Sequence, residues 1–351
     1  MKYLLVDSNN LSCRICFAQP ELKNSDGIYS GLHFGFFQSL INLKQKFPFH
    51  NILLVWDGKS KRRQIESENA VKEGIVPLVY KGNRKKDEIP IPLLNFYEQA
   101  PFLKRALNYT GIPQIRYNEY EADDVISAYT KNLKKHSEEI VISTSDKDYY
   151  QLLDSNVKMW DGMKMSEITV DTFKNNWGIE PKQWVDVGSF CGDDSDGIYG
   201  VPGWGEKTSI KAIKKYETWD KVLDDYKNKY KDARINNIDL NLRDGGEDLF
   251  TYLKEKISEK GRFIYPEITF DMPYTGVLLA FDQDKINGSK IEIMSLMFEK
   301  RIRLAYSLKK MDDDIPSLPD FDKGPLNKEK LNEFFDFYDI TTLKNAIDLF
   351  E

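Results

Sequence analysis

The sequence predicts an α/β fold in which a mainly parallel sheet carries helices on both faces and a mainly helical part follows. The first observation is a set of short apolar, β-branched runs, typical of buried parallel strands: YLLV (3–6), ILLVW (52–56) and IVIST (140–144). The second is helical spacing of apolar residues between those runs, as in Leu32, Phe36, Leu40 and Leu43. Strands and helices alternate along the chain, and this order predicts a covered sheet.

The helical part is predicted from a change of pattern along the chain. Helical spacing continues over 93–107 and 122–133, whereas from about residue 181 short helices separated by Gly and Pro replace the strands. We therefore predict a core domain over 1–180 and a helical domain over 181–351. The polar, glycine-bearing stretch from about 232 to 275 indicates no particular element.

Composition restricts the class of protein. A hydrophobic share of 41% and a charged share of 30% are those of a soluble globular chain. No apolar run reaches about 18 residues, and the N-terminus MKYLLVDSNN turns polar too early for a signal peptide, so we expect a cytoplasmic protein outside the membrane. Three cysteines cannot form a disulfide framework, and CRIC (13–16) is interpreted as two buried thiols rather than a redox or zinc half-site.

Net charge conceals basic zones. The whole chain carries −6, which by itself argues weakly against a nucleic-acid partner. Residues 58–105, however, hold eleven Lys or Arg against six Asp or Glu, and residues 201–235 hold nine against six. The tail from 311 to 351 is acidic, with four against eleven. The basic zones predict an anionic partner for two stretches of the chain.

Carboxylates follow the ends of the predicted strands. Asp7 follows the first strand, Asp57 the second, and Asp146 with Asp148 the third. Because sites in open α/β sheets form outside the carboxyl ends of the strands, we expect these side chains at one edge. A further acidic cluster stands at the start of a predicted helix in NEYEADDVISAY and contains Glu121, Asp123 and Asp124.

Each of these acids also has a purely structural interpretation. Asn118 to Glu121 fits a capping box, Asp146 fits a helix cap, and Asp57 fits a turn. Together, however, so many converging carboxylates would repel by on the order of several kcal/mol unless cations neutralised them. Hard divalent ions prefer oxygen ligands, so the pattern predicts Mg²⁺, for which Mn²⁺ can substitute. With three His and no paired Cys motif, a zinc site is not expected.

A glycine-rich stretch, GDDSDGIYGVPGWGEKTSIKAI (192–213), joins acids to a basic segment. It is close to the nucleotide loop G-x4-G-K-[ST], but Glu206 interrupts that spacing, no strand precedes it, and it lacks the ligands of an EF-hand. We interpret it as a tight hairpin between two helices, where Gly203 and Gly205 let the backbone approach a ligand closely. A line of lysines would then face phosphates, or simply solvent: Lys207, Lys211, Lys214 and Lys215.

Six blocks follow one another over roughly residues 1–216: LLVDSNNL, VWDGKSKRR, YKGNR, EYEADD, STSDKDYYQLL and GDDSDGIYGVPGWGEKT. In this order they resemble the flap endonuclease/5′–3′ exonuclease (5′ nuclease) family, above all its unfused bacteriophage members of the phage ribonuclease H type. The resemblance implies a PIN-like α/β nuclease core and a helical arch over about 81–104. It also implies a helix–three-turn–helix DNA-binding motif over about 181–216, which often binds K⁺.

The resemblance further implies the residues of the site. The ligands of one metal are matched by Asp7, Asp57, Glu121, Asp123 and Asp146. The second metal is matched by Asp148, Asp193 and Asp196, with Asp146 as a bridge. Asp124 aligns with an acidic position of the phage members and is predicted as a further metal residue. Lys81 and Arg84 match the catalytic cations at the scissile phosphate, and Tyr80 is predicted to stack on an unpaired base. The hairpin residues implied to bind substrate are Gly203, Gly205, Lys207, Thr208 and Lys211.

The implied activity is two-metal hydrolysis of phosphodiesters in DNA or RNA–DNA hybrids by a structure-specific 5′ nuclease. Implied substrates are 5′ flaps, nicks and 5′ ends, including RNA primers, and implied partners are a single-strand-binding protein or other replication proteins. We expect a monomer, in the host cytoplasm if the chain is phage-encoded. Two alternatives stay open. A PIN-type ribonuclease would lack the hairpin, and a catalytically inactive DNA-binding relative would have lost several acids.

Overall fold

A six-stranded sheet organises the first half of the chain in the computed structural model of the protein. Its strands are β1 (Lys2–Asp7), β2 (His50–Trp56), β3 (Gln114–Arg116), β4 (Glu139–Ser143), β5 (Val157–Asp161) and β6 (Ser166–Ile168). The spatial order is β3-β2-β1-β4-β5-β6, and every pair is parallel except β5 with β6. The three strands predicted from apolar runs are therefore confirmed, and they are the adjacent central strands β2, β1 and β4.

Eleven helices are described, together with short 3₁₀ segments. Those before residue 180 are α1 (Ser8–Ala18), α2 (Gly31–Lys46), α3 (Lys61–Lys72), α4 (Ile91–Asn108), α5 (Ala122–Leu133) and α6 (Val170–Trp177). The later ones are α7 (Trp184–Cys191), α8 (Glu206–Tyr216), α9 (Trp219–Lys229), α10 (Leu296–Lys309) and α11 (Lys328–Phe337). The 3₁₀ segments are Lys147–Leu152, Pro181–Gln183 and Thr341–Phe350. None of these described helices is both long and apolar enough to span a bilayer.

The structure describes residues 1–84, 89–201, 204–229, 277–280 and 292–351. By their internal contacts the residues form two units. Unit 1 comprises Met1–Gln64, Arg84–Val185 and Lys309–Glu351, and unit 2 comprises Ile65–Asn83 and Asp186–Leu308. The division at residue 180 that the sequence suggests, as a boundary between functional domains, remains a prediction.

The sheet of unit 1 is buried on both faces. Leu4 and Val6 of β1 and Leu54 of β2 join one large apolar cluster with α2 and α4. The alternate residues, such as Leu5 and Val55, are equally buried and point the other way because side chains alternate along a strand. On that face α5 contacts β1, β2 and β4. The predicted α/β arrangement with covered faces is thus confirmed.

The C-terminal residues complete this core. Leu331 and Phe335 of α11 and Phe350 of the last 3₁₀ segment are buried in the same cluster as α2. The ring of Phe335 meets that of Phe37 with centroids 4.9 Å apart. The tail is acidic by composition, but its apolar face supplies part of the core of unit 1.

The described residues of unit 2 form helices and one antiparallel pair of strands, β7 (Val277–Ala280) and β8 (Glu292–Ser295), which lie beyond the stretch from about 232 to 275. A small apolar cluster joins Tyr80 and Ile198 to Ala305 and Leu308. Helix α10 thus supplies the packing surface for the YKGN segment.

The cysteines are thiols, as predicted, but only one of them is fully buried. Cys16 is buried, whereas Cys13 and Cys191 are half-buried. Burial raises the pKa of Cys16 to about 12 and that of Cys13 to about 11. Both thiols of the CRIC segment therefore stay protonated at neutral pH and are poor ligands or nucleophiles.

His33 predicts a measurable pH dependence of stability. Its ring is buried between Phe334 and Tyr338, and burial lowers its pKa to about 3. In the unfolded chain the imidazole of His33 is protonated below about pH 6.5, whereas in the folded chain it stays neutral down to about pH 3. The free energy of unfolding therefore falls as pH drops below about 6.5. Between pH 7.5 and 5 this group should cost about 2 kcal/mol. His33→Leu should remove that part of the loss, measured by denaturant unfolding at both pH values.

A substitution at exposed His136 serves as the matched control, and it should leave the pH dependence as in the original chain. If His33→Leu lost as much stability on acidification as His136→Gln, the buried neutral imidazole would not be the cause.

Candidate active site

The carboxyl ends of the three central strands bring acids to one edge of unit 1. Strand β1 ends at Asp7, β2 ends directly before Asp57, and β4 ends at Ser143, three residues before Asp146. Because β2, β1 and β4 are adjacent and parallel, these ends lie side by side. Electrostatic interaction confirms the proximity, since Asp57 and Asp146 both act on the pKa of Asp7.

Asp7 is buried and held by hydrogen bonds at the end of β1. It caps α1 by accepting the backbone N–H of Asn10 at 3.0 Å, and the Tyr149 hydroxyl donates to it at 3.1 Å. Burial raises its pKa to about 8, and the charges of Asp57 and Asp146 add to that rise. Without a nearby cation, the structure thus favours the protonated form of a carboxyl that would be ionised in water.

Asp146 caps the 3₁₀ segment that follows β4. It accepts the backbone N–H of Asp148 at 2.8 Å, so the structural role suggested by the sequence is present. The residue is exposed, yet desolvation by the surrounding protein atoms and then the charge of Asp148 raise its pKa to about 7. The cap fixes the side chain toward the edge and does not remove its electrostatic cost.

Helix α5 carries the second acidic cluster to the same edge. Glu121 is its N-cap, and Asp124 accepts the Glu121 backbone N–H at 3.3 Å, so the capping interaction runs between these two residues and not from Asn118. The side chain of Asp57 accepts the N–H of Ala122 at 2.8 Å, which ties α5 to the end of β2. Burial raises the pKa of Asp124 to about 7, with the charge of Asp123 as the next cause.

Arg63 is a central member of the site that sequence reasoning missed. Its side chain is 1% exposed and donates to Glu121 at 2.7 Å, to Asp123 at 2.7 Å and to Asp124 at 3.0 Å. The planar guanidinium presents five donors, which suits several carboxylates at once. In the sequence, Arg63 lies six residues after Asp57 at the start of a predicted helix. It is one of several consecutive basic residues, a pattern that is typical of a solvated surface, so nothing marks it as buried.

Lys309 is the second missed cation. Its Nζ lies 2.8 Å from Oδ2 of Asp148, and its side chain is 8% exposed. The two residues are 161 positions apart. No local pattern around SLKKMDDD distinguishes this lysine from its exposed neighbour Lys310.

No three His, Cys, Asp or Glu side chains in the described part of the chain form a ready-made metal-binding group. Arg63 pairs with three of the acids at this edge, and Lys309 pairs with Asp148. The residues nevertheless fit a hard divalent ion: the donors are all carboxylate oxygens, and the pKa values of Asp7, Asp124 and Asp146 are raised where such a charge would lower them.

The remaining predicted acids, Asp193 and Asp196, belong to unit 2. Asp193 accepts the backbone N–H of Ser195 at 2.9 Å and its hydroxyl at 2.7 Å. The Asp196 carbonyl accepts the N–H of Lys81 at 2.7 Å, and its carboxylate accepts the Tyr80 hydroxyl at 3.1 Å. The acidic turn and the YK segment are therefore joined within one unit.

The predicted arch-base residues differ in their surroundings. Tyr80 is 8% exposed, so its ring offers no face for a base to stack on in this structure, and its stacking role remains a prediction without structural support. Lys81 has a positive φ of 57°, and its Nζ lies 4.8 Å from the Tyr80 ring centroid. Arg84 belongs to unit 1, and its charge acts on Cys13 together with the charges of Asp57 and Asp7, so it lies near the acidic edge.

Helix α8 presents the predicted hairpin cations. Gly205 is its N-cap, and a Cβ there would meet nothing within 4 Å, whereas Gly203 lies outside the described residues. Ser209, Ile210 and Ile213 form the buried face of the helix. The opposite face is exposed and carries Lys207, Thr208, Lys211, Lys214 and Lys215. A basic exposed face on an anchored helix is suited to contact with phosphates.

Replacing Arg63 should destabilise the protein strongly. Arg63→Met would leave three carboxylates at the edge without their shared cation, at a cost of about 3–5 kcal/mol in the free energy of unfolding. The matched control is Lys61→Met, since the Lys61 side chain is 63% exposed, it pairs with exposed Glu119 at 3.0 Å, and its loss should cost no more than about 1 kcal/mol. Denaturant unfolding of both variants measures the difference. Equal losses would show that the Arg63 ion pairs contribute no more than a surface pair.

Comparison with known proteins agrees with this geometry. The family model for the 5′-3′ exonuclease N-terminal resolvase-like domain matches residues 2–178, and that for the 5′-3′ exonuclease C-terminal SAM fold matches residues 179–255. DNA polymerase I of Bacillus subtilis (strain 168) is 33% identical over 228 residues, covering 64% of this chain and 24% of that protein. The 5′-3′ exonuclease of Aquifex aeolicus (strain VF5) is 29% identical over 259 residues, covering 73% and 84%. The chain thus spans about a quarter of the length of the polymerase relatives that it matches.

Solved structures share the fold. The T5 D15 protein co-crystallised with metal ions aligns with a TM-score of 0.56 at 14% identity, with 100% of both chains covered. The catalytic core of Rad2 in complex with DNA substrate aligns with a TM-score of 0.53 at 16% identity, covering 99% of this chain and 92% of that one. At these identities the likeness is evidence for the fold. Because the two family models together match residues 2–255, the chain belongs to the 5′-3′ exonuclease family of nucleases.

Proposed function

We propose that this protein is a structure-specific 5′ nuclease that hydrolyses phosphodiesters of DNA or RNA–DNA hybrids with the help of two divalent metal ions. The observation that carries the proposal is the convergence of Asp7, Asp57 and Asp146 at the carboxyl ends of three adjacent strands. Three mutually repelling carboxyls, of which Asp7 is buried, Asp57 half-buried and Asp146 exposed, are costly to bring together, and a metal-dependent reaction is the activity that best accounts for them.

The proposed ligands follow from the sequence blocks and from this placement. Asp7, Asp57, Glu121, Asp123 and Asp146 would hold one ion, and Asp148, Asp193 and Asp196 would hold the second with Asp146 as a bridge. Mg²⁺ is the proposed ion, with Mn²⁺ as a substitute. When bound, such ions lower the pKa of water and stabilise the leaving oxygen. Asp124, which pairs with Arg63 and accepts the Glu121 backbone N–H at the start of α5, is proposed as a further residue of the metal site.

The proposed contacts to substrate come from cations. Lys81 and Arg84 would offset the negative charge that grows on the scissile phosphate. The backbone position of Lys81 is fixed by its hydrogen bond to Asp196, so its ammonium starts from a defined point. Lys207, Thr208 and Lys211 on the exposed face of α8 would hold the backbone of a duplex. K⁺ at the hairpin is part of the proposal.

Helix α4 supports the proposed arch over about 81–104. It begins at Ile91, next to Pro90 and Pro92, and residues 85–88 lie outside the described part of the chain. Tyr97 and Phe102 are more than half exposed, although both are large aromatic residues. A helix with exposed aromatic rings near a basic segment suits a single strand that passes beside it. We propose 5′ flaps, nicks and free 5′ ends as substrates, RNA primers among them, with the protein acting as a monomer alongside a single-strand-binding protein.

Asp146→Ala tests the chemistry. Cleavage of a 5′-labelled flap in Mg²⁺ should fall at least about a thousandfold, because the bridging ligand is lost. The unfolding free energy without metal should rise or stay level, since one repelling carboxylate has gone. Asp171→Ala, at an exposed position in the first turn of α6, is the control and should cleave normally. Near-normal cleavage by the Asp146 variant would refute the proposed site. Cleavage of a nicked duplex, an RNA–DNA hybrid and single-stranded RNA by the original chain, measured in parallel, would distinguish the proposed nuclease from a ribonuclease.

Binding and chemistry should separate between two sets of cations. Lys81→Ala should lower the single-turnover rate by about a hundredfold with little change in duplex affinity. The double change Lys207→Ala with Lys211→Ala should weaken binding in Ca²⁺ and reduce the log–log salt slope by about one per lost phosphate contact. Exposed Lys135 beyond the end of α5, changed to Ala, controls for general loss of charge. A Lys81 variant that changed affinity alone would contradict the catalytic role given to that residue.

A further inference from the structure

Lys309 occupies an unusual position for a lysine. It is the last residue of α10, its side chain is 8% exposed, and both oxygens of Asp148 lie within hydrogen-bond distance of its Nζ, at 2.8 and 3.2 Å. Lysines are rarely this buried unless their charge is paired. The partner here is the acid that the proposed function assigns to the second metal ion.

The backbone around Lys309 is held by bonds that do not involve its ammonium group. The side chain of Gln151 donates to the Lys309 carbonyl at 3.1 Å and accepts the N–H of Met311 at 3.2 Å. The Arg62 guanidinium donates to the Lys310 carbonyl at 2.7 Å.

The backbone N–H of Asp312, the residue after Met311, donates to the side chain of Asp124 at 2.8 Å. Segment 309–312 is therefore fixed along the acidic edge by its main chain. Exchanging the Lys309 side chain removes a charge and leaves these backbone bonds in place.

We propose that Lys309 is a positioning residue for Asp148: a tethered cation that holds this carboxylate while metal is absent and competes with a divalent ion for it. The inference rests on the proposed function, since it takes Asp148 as a metal ligand. An ammonium within 3 Å of a carboxylate stabilises the ionised acid without a metal, and it repels a dication that approaches the same oxygens. Metal binding at Asp148 then requires the ammonium to withdraw.

A purely structural ion pair predicts the opposite sign for metal affinity. If Lys309 served only to order Asp148, its loss would leave the ligand less well placed, and affinity for a divalent ion would fall or stay unchanged. Competition predicts that affinity rises on removal of the charge, and that arginine at the same position retains the effect.

The test is direct binding of metal to the DNA-free protein, with Mn²⁺ followed by electron paramagnetic resonance and Ca²⁺ by titration calorimetry. For each metal, Lys309→Gln should bind the more weakly held of the two bound ions about tenfold more tightly. Lys309→Arg should stay within about twofold of the affinity of the original chain. Lys310→Gln, which removes the same charge from the exposed neighbour, should also remain unchanged. The Mg²⁺ concentration for half-maximal cleavage should fall about tenfold in the Lys309→Gln variant alone.

The gain must also depend on Asp148. In an Asp148→Asn background, Lys309→Gln should bring no tighter binding, and a gain that persisted there would overturn the inference. Equal or weaker binding by Lys309→Gln than by Lys310→Gln would likewise overturn it while leaving the metal site intact. Failure of every variant, and of the original chain, to bind Mn²⁺ or Ca²⁺ would instead refute the metal site of the proposed function, and the inference with it.

Discussion

Repulsion among carboxylates at one edge of the sheet is the constraint on which the rest of unit 1 depends. Three adjacent parallel strands end in an acid or within three residues of one, and desolvation raises the pKa of buried Asp7 to about 8 and of Asp146 to about 7. Such a cluster is tolerated only if donors and cations surround it. Helix caps supply the donors, and Arg63 and Lys309 supply the cations.

These compensating groups come from distant parts of the chain. Arg63 is near Asp57 in sequence, but Lys309 reaches Asp148 across 161 positions, and Asp312 bonds to Asp124 across 188. The C-terminal stretch thus contributes to two places in unit 1: segment 309–312 lies along the acidic edge, and α11 packs in the core beside α2. This explains why Lys309–Glu351 associates with the sheet although it follows the mainly helical part in sequence.

The sequence predicted what is periodic or adjacent and missed what is distant. The three central strands, α2, α4 and α5 follow from apolar spacing, and the convergence of Asp7, Asp57 and Asp146 follows from the rule that parallel strands share an edge. In the sequence a capping box fits Asn118 as well as Glu121, and the structure has the cap at Glu121, where Asp57 binds the next backbone N–H of α5. Arg63 was missed because a charge run gives no indication of which of its members points inward.

Tyr80 shows the same limit in unit 2 and points to a different role. Aromatic residues next to basic ones are typical of nucleic-acid surfaces, yet this ring packs under Ala305 and Leu308, and no local signal reveals that α10 covers it. Its hydroxyl instead holds the carboxylate of Asp196, while the backbone N–H of Lys81 holds the Asp196 carbonyl. Asn83 donates to the carbonyl of Asp194 in the same turn.

The consequence concerns how charge is placed in the proposed site. Lys81, proposed to meet the phosphate, and Asp196, proposed to meet a metal ion, are separated by more than a hundred positions but share two hydrogen bonds through the YK segment. The turn that contains Asp196 is therefore hydrogen-bonded to the segment that carries Lys81, and a movement of this turn would also move Lys81. Pre-organisation of this kind lowers the cost of arranging both groups at the moment of reaction.

The same logic holds in unit 1, where Arg63 fixes three acids and the backbone of segment 309–312 fixes Lys309 beside Asp148. In each unit, an acid proposed for metal binding has a basic residue held beside it by the fold.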